Sequence, residues 1–457
     1  MRTTKKIISA GIACWLLASS LFAGGLLTNT NQSAHFVRNP ARGASMEIDA
    51  VYTNPAGLAH LSRNGFHFSL NNQSAFQTRT ITSTFEPFVM NGGSPTKEFV
   101  GNASAFVIPS FMAAYKRNNW VFSGSFGVVG GGGALTFEHG LPTFEQPISM
   151  LPLMLNGLNP AFDVTQYSVD MYLRGTSIVY GTQLGATYRI NDMFSAFVGG
   201  RMAFVRNSHE GHLRNIQINP TFPGNPNGDM MRAEDFLNAI GQAGQAADVA
   251  DQQLINSQSG NGFTPILGLN FNHNRLNVGV KYEFRTRLSV TNSTEIDVQE
   301  MFPDGVKIPH DIPAKLTIGA QYDIIPSVTL SAGWVRFFDS NARMAGDRQK
   351  LLDGGVNEFL FGTEWRINNR FLVSAGTQVT RSSATDAYQT DLSHFLNSVS
   401  IGLGGAVDVT ENIRINAGYF FTIFEDWTQL VDRQAPPITN TFGRTSQLFG
   451  IGVDFRF

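Results

Sequence analysis

Arg201, Lys281, Arg285 and Lys315 are the residues of this chain best suited to hold an anion, because each falls on the polar side of a segment whose apolar and polar residues alternate. An Arg offers a planar fork of donors and a Lys a compact point charge. Gathered in a partly dry space, such cations would bind a carboxylate. Their competing use is internal pairing, since Glu283 lies two residues from both Lys281 and Arg285. His209 and His212 raise the question of metal binding. Residues three apart on a strand face opposite sides, so the two imidazoles diverge and no metal site is expected. Hydrolysis would need a nucleophile or an acid group ordered beside a His. The chain has no Gly-x-Ser-x-Gly element and places no Ser or Asp with a His on one face, so neither an enzyme nor a cofactor is expected.

Two further motifs act through the backbone. Gly130, Gly131, Gly132 and Gly133 interrupt the alternating segment from Trp120 to Glu138. Consecutive glycines weaken strand pairing and mark a bulge or a bend, which would either open a gap in a sheet or merely adjust its curvature. Asn54, Pro55, Ala56 and Gly57 form a turn signal inside a stretch without a convincing strand, to be read as a packing contact or as an ordinary Asx-Pro turn.

The elements that must position these residues are strands. Period-2 alternation sends one set of side chains to each face, and beyond residue 65 it dominates. In Arg275 to Arg285 the apolar set is Leu276, Val278, Val280, Tyr282 and Phe284; near the end it is Phe449, Ile451, Val453, Phe455 and Phe457. Short polar turns at 116–119, 189–192, 272–275, 323–327, 366–369 and 409–412 alternate with long segments around 80–98, 139–166, 216–261, 291–311, 340–356, 384–396 and 425–443. Short turns on one side and long loops on the other are the plan of a membrane barrel. The count is about fourteen strands, an even number that puts both chain ends on the short-turn side. Within the longest loop, Phe236, Ile240, Ala243, Ala247, Ala250 and Leu254 have the spacing of an amphipathic helix over 232–256, either a greasy landing groove or a lid over the mouth.

Composition agrees. Hydrophobic residues make up 42% and charged residues 15% of the 457, which is too apolar for disorder, while 46 Gly and the polar interleaving argue against a bundle of membrane helices. Beyond residue 24 no run approaches the roughly 18 apolar residues that a spanning helix needs, so any span must be β. Residues 1–23 read as a secretory signal peptide: a basic start, an apolar stretch from Ile7 to Phe22, then small residues. Its removal takes away the single Cys and leaves neither disulfides nor thiol chemistry. It also takes Arg2, Lys5 and Lys6 from the 33 basic residues, leaving 30 against 35 acidic, a balance that does not suggest nucleic acid. Residues 24–62 would then lie at the short-turn end as a plug, and residues 63–457 would form the barrel.

With these features the chain resembles the FadL family of outer-membrane transporters for long-chain fatty acids and other hydrophobic compounds. The likeness rests on ARGASMEIDAVYTNPAGLAHL near the mature N-terminus, on IPAKLTIGAQYDIIPSVTLSAGW and on VNEFLFGTEWRINNRFLVSAG. The most specific element is the Asn54 to Gly57 turn. The terminal Phe457 is similar to the aromatic by which such barrels are commonly recognised for assembly, which implies the barrel assembly machinery as a partner. The resemblance implies an all-β fold, a transmembrane antiparallel barrel of fourteen strands closed by an N-terminal hatch, with a kink in the third strand at Gly130 to Gly133 that opens a side passage. It further implies passive uptake across the outer membrane of a Gram-negative bacterium, surrounded by outer-membrane lipid, with both termini periplasmic. The alternatives are a general porin or surface adhesin, which should lack the plug, and a barrel lipid hydrolase.

Overall fold

The computed structural model describes residues 28–391, 393–431 and 436–457. The signal-peptide reading of residues 1–23 lies outside the described residues, as do residues 24–27. Fourteen antiparallel strands close into a barrel. They are β1 (Gly65–Thr84), β2 (Thr96–Arg117), β3 (Trp120–Phe137), β4 (Tyr167–Arg189), β5 (Phe194–Ile218), β6 (Gln252–His273), β7 (Leu276–Glu283, resuming as Ser289–Asp297), β8 (Lys307–Pro309, resuming as Lys315–Ile325), β9 (Val328–Phe337), β10 (Asn357–Arg366), β11 (Phe371–Arg381), β12 (Ser398–Asp408), β13 (Ile413–Phe424, resuming as Trp427–Val431) and β14 (Ile438–Arg456). Each pairs with the next, and β1 pairs with both β2 and β14, so the sheet closes on itself. Closure is what a β-structure needs in hydrocarbon, where an unpaired N–H or C=O costs several kcal/mol.

Alternation decides which face is which. Along β4 the outward side chains include Leu184, 67% exposed, while Gln183 and Thr187 between them are buried inward. Turns such as Asn118-Asn119 and Asn274 join strands at one end, with Asn118 and Asn274 at positive φ. Among the described residues, no helix is long and apolar enough to cross a membrane. At the other end sits a loop layer. Helices α3 (Pro142–Ser149) and α4 (Leu151–Leu158) come from the β3–β4 connection, α5 (Ala233–Ala239) and α6 (Ala243–Ala246) from the β5–β6 connection. Phe144, Ile148, Leu151 and Leu155 join Phe236, Leu237 and Val249 in one apolar cluster with Leu213 and Ile216 of β5.

The single helix read over 232–256 is corrected. It ends near Ile240, where Gly241 takes a φ of 75°, and Gln252 onward is strand paired with β5 from Leu213 to Phe194. A continuous ladder outweighs a helical stripe that is half Ala, whose small side chains bury little surface.

Inside the barrel lies the N-terminal segment, residues 28–62. Helix α1 (Ala34–Arg38) is capped by Ser33, whose Oγ accepts from Phe36 N at 3.3 Å. Helix α2 (Ala50–Thr53) leads into a 3-10 turn over Pro55–His60. Such short helices are marginal by themselves and are held by the wall. Asn54 Nδ2 donates to Asn270 Oδ1 (2.8 Å), Asn277 Nδ2 to Ala44 O (2.7 Å), Thr187 Oγ1 to Pro55 O (2.8 Å) and Ser195 Oγ to Ala56 O (2.7 Å).

Leu184→Arg, which puts a charge on the outward apolar band, should destabilise the barrel in a bilayer by about 2–4 kcal/mol. The measurement is the denaturant midpoint of folding into vesicles; an unchanged midpoint would mean that this face does not meet lipid.

Candidate functional site

Three of the four predicted cations converge. Arg201 on β5, Lys281 on β7 and Lys315 on β8 are all buried and share one carboxylate, Glu283 on β7. Lys281 Nζ stands 2.8 Å and Lys315 Nζ 3.0 Å from Glu283 Oε1, and the Arg201 guanidinium pairs with Oε2. The register explains the meeting, because Lys315 lies directly opposite Glu283 and Glu283 directly opposite Ile266 of β6, beside β5. Three cations against one anion leave an excess of positive charge in a space screened from water. Besides its pair with Glu283, the Arg201 guanidinium faces Tyr52 of the N-terminal segment.

The hatch side of this cluster is Tyr52. Its ring centroid lies 4.8 Å from Lys281 Nζ and 5.4 Å from both Lys315 Nζ and the Arg201 guanidinium carbon, within cation–π range. The adjoining cavity, lined by Thr30, Phe36, Tyr52, Lys281, Lys315 and Leu360 among others, holds about 30 Å³. That is room for about two or three waters. An acyl chain would therefore need the N-terminal segment to shift.

Arg285 is corrected: it does not join this group. The β6–β7 register pairs Ile266 with Glu283 but Ser259 with Thr291, so β7 carries one residue more than β6 across the break. The extra residue advances the face parity, and Thr286, not Arg285, turns inward to meet Thr264. Arg285 instead donates to Asn341 O near Asp311.

At Gly130 to Gly133 the wall is interrupted. Against β4 the register of β3 slips twice, between Val128 and Gly130 and between Gly131 and Gly133. Gly131 takes a φ of 88° and Gly133 of 66°, and a Cβ on Gly131 would strike the Ser177 carbonyl. Pairing of β3 with β2 stops at Ala103 and Leu135 and resumes only at Phe111 and Phe126. Opposite, β2 bulges against β1, leaving Phe106 and Val107 both exposed.

Residues 28–32 fill this gap from inside. Thr28 bridges Gly130, Asn29 N donates to Val129 O (2.9 Å), Gln32 Nε2 donates to Val128 O (2.7 Å), and Ser110 Oγ donates to Gln32 O (2.5 Å). Tyr52 joins the two sites: its hydroxyl donates to Asn29 O at 3.0 Å.

A charged latch seats the segment at the short-turn end. Arg42 grips Asp49 with Nε at 2.7 Å and Nη2 at 2.8 Å, and Nη2 also reaches Glu47 at 2.8 Å. Arg38 pairs with Glu364 of β10, and Arg414 of β13 bridges Glu47 and Asp408. His35, Glu47 and Asp49 bring metal-ligand types within 4.8 Å of one another, yet Arg42 already engages both carboxylates. His209 and His212 diverge: His209 stacks on Phe302 while His212 lies 3.4 Å from Asp170. Sequence reasoning missed Tyr52, Gln32 and the latch. The only available signal was the density of charge between Arg42 and Asp49 in a segment with no strand pattern.

No protein-family model matches the chain, and no curated protein matches it in sequence. Solved structures match it along nearly its whole length. A Pseudomonas aeruginosa FadL homologue superposes with a TM-score of 0.66 at 12% identity, covering 94% of this chain and 99% of that one. The Pseudomonas putida toluene transporter TodX gives 0.59 at 16%, covering 96% and 100%. The Ralstonia pickettii toluene transporter TbuX gives 0.52 at 13%, covering 92% and 98%. The chain is thus a closed antiparallel barrel with an internal N-terminal segment. More particularly, it has the FadL-type barrel fold.

Burial alone would raise the carboxyls of Glu47 and Asp49, but it is outweighed: Arg414 and Arg42 hold Glu47 well below the ordinary range, and Arg42 holds Asp49 below it. A lowered folded-state value contributes stability above the unfolded value, and that stability is lost as pH falls through the folded one. A polar cavity of about 200 Å³ beside Glu47, His60 and Arg414 gives protons access. Leakage of a small polar dye should therefore stay flat from pH 8 to 5 and rise only below about pH 4, the ordinary carboxylate range. Leakage beginning above pH 5 would mean that these carboxylates do not seat the segment.

Proposed function

We propose that this protein is a non-enzymatic outer-membrane channel for passive uptake of hydrophobic small molecules, long-chain fatty acids foremost, into the periplasm of a Gram-negative bacterium. The observation that carries this reading is the buried excess of cations at Arg201, Lys281 and Lys315 beside a segment whose tail fills a gap in the wall. A carboxylate competes with Glu283 for the cations, and its chain follows the apolar side of the cavity at about 0.8 kcal/mol per buried methylene. Residues 24–62 act as the hatch, with Asn54, Pro55, Ala56 and Gly57 as its contact to β4, β5 and β6. The ligand leaves sideways through the interruption at Gly130 to Gly133 once residues 28–32 withdraw, so it never crosses water. The apolar loop cluster of α3 to α6 serves as the first landing surface. Both termini are periplasmic, and Phe457 is the recognition residue for the barrel assembly machinery. The fold shared with toluene transporters supports the coarser reading of hydrophobic uptake, with an uncharged aromatic as the second candidate cargo.

Uptake of labelled oleate, toluene and a small sugar into liposomes separates these cargoes. Lys281→Gln with Lys315→Gln should weaken oleate binding about tenfold, the equivalent of roughly 1.4 kcal/mol, and leave toluene unchanged. Equal losses for both would remove the carboxylate role, and free sugar passage would mean an open porin.

A tether tests the hatch. A Cβ on Gly268 would lie 3.6 Å from Ala56 Cβ, inside disulfide range. Ala56→Cys with Gly268→Cys should block uptake when oxidised and recover it when reduced. Undiminished uptake in the oxidised form would show that this part of the segment need not move.

A further inference from the structure

A second cationic group faces outward. Arg285, at the extra residue of β7, and Arg343, in the β9–β10 connection, meet around the buried carboxylate of Asp311. Arg343 holds it with Nε at 3.0 Å and Nη2 at 3.1 Å, and Arg285 Nε lies 3.9 Å away. Leu288 N and Arg343 N also donate to Asp311, at 3.0 and 3.3 Å. Its acceptor capacity is taken up. The β7–β8 register, fixed by Pro309 against Ser289 and by the Thr286–Ile312 bridge, sets the exposed Arg287 directly opposite Asp311. Two guanidiniums thus flank one carboxylate, with the exposed Arg287 on the residue across the ladder from it, and Arg343 is 53% exposed.

The place of this group matters as much as its charge. Phe284 follows the Asn274 turn by about the 9–11 residues that a tilted strand needs to span a bilayer. On neighbouring β6 the outward residues change there from the apolar Phe263 to Asn261. Directly inward along the wall from the arginines is an aromatic shelf. The rings of Tyr282 and Phe284 lie 4.8 Å apart, Phe338 stands 6.4 Å from Tyr282, and Phe284 is 40% exposed. Guanidiniums above an exposed Phe284 and the half-buried Tyr282 and Phe338 at the membrane boundary match a molecule with a phosphate at one end and acyl chains at the other, since Arg forks fit phosphate oxygens bidentately.

We propose that Arg285, Arg287 and Arg343 form a docking site for a phosphorylated lipid of the outer leaflet, its phosphate on the guanidiniums and its chains on Tyr282, Phe284 and Phe338. The site rests on the reading of the barrel as membrane-embedded and is independent of what the lumen carries. Bound there, the lipid ties the β7–β8 break to the β9–β10 connection.

The test is native mass spectrometry of the full chain in neutral detergent, titrated with dioleoyl phosphatidic acid, with dioleoyl phosphatidylcholine and, separately, with inorganic phosphate. Phosphatidic acid should be retained at least tenfold better than phosphatidylcholine, and millimolar phosphate should not displace it. Arg343→Gln with Arg287→Gln should abolish the preference. Because Arg343 also neutralises Asp311, Arg287→Gln alone is the variant expected to fold as wild type while losing several-fold in retention. Its oleate uptake in phosphatidylcholine liposomes should be unchanged, which keeps this site separable from the lumen. Retention unaltered in both variants, or phosphatidic acid displaced by phosphate alone, would overturn the proposal.

Discussion

In hydrocarbon a backbone amide has no water to fall back on, and every other feature of this barrel depends on that constraint. It forces the ladder to close on itself from β14 to β1, and it makes any break in the ladder expensive unless another polar group takes over. The break between β2 and β3 is where the constraint is relaxed. Two glycines at positive φ let β3 slip past β4, and the carbonyls so freed are met by Asn29 and Gln32. The tail thus completes the wall with hydrogen bonds to β2 and β3 in place of a continuous ladder.

The same logic governs the lumen charges. Burying a lone ion costs several kcal/mol, and pairing returns only part of it. Glu283 compensates one of its three cations, while Tyr52 offers the rest a ring face and, to Lys281, its carbonyl. This is a site held short of neutrality, and the hatch supplies what the wall lacks. Because Tyr52 also bonds Asn29, the cation cluster and the tail are tied to one residue.

What was legible in the sequence was whatever has a short period. Alternation and turn chemistry marked all the wall strands, because each outward Leu or Phe and each inward Asn or Arg answers to its own face. Arg201, Lys281 and Lys315 could be assigned inward on that basis. Arg285 could not, since a single inserted residue reverses parity and leaves no local mark; it becomes visible only when β7 is counted against β6. The stripe at 232–256 failed for a related reason. Alanines at helical spacing commit the chain to little, and the ladder with β5 decides the outcome from Gln252 onward. Tyr52 and Gln32 had no pattern at all, because their partners lie far along the chain.

The inserted residue in β7 has two effects that belong together. By turning Thr286 inward it ends the inward row of charges along β7 at Glu283. By turning Arg285 away it adds that charge to Arg287 and Arg343 outside the wall. Had parity continued, four cations would face one carboxylate in the same dry space, and the added self-energy would fall on a cluster already short of counter-charge. The bulge therefore sets the charge of the inner site and builds the outer one in a single step, which is the sense in which an irregularity of a strand acts as a positioned feature.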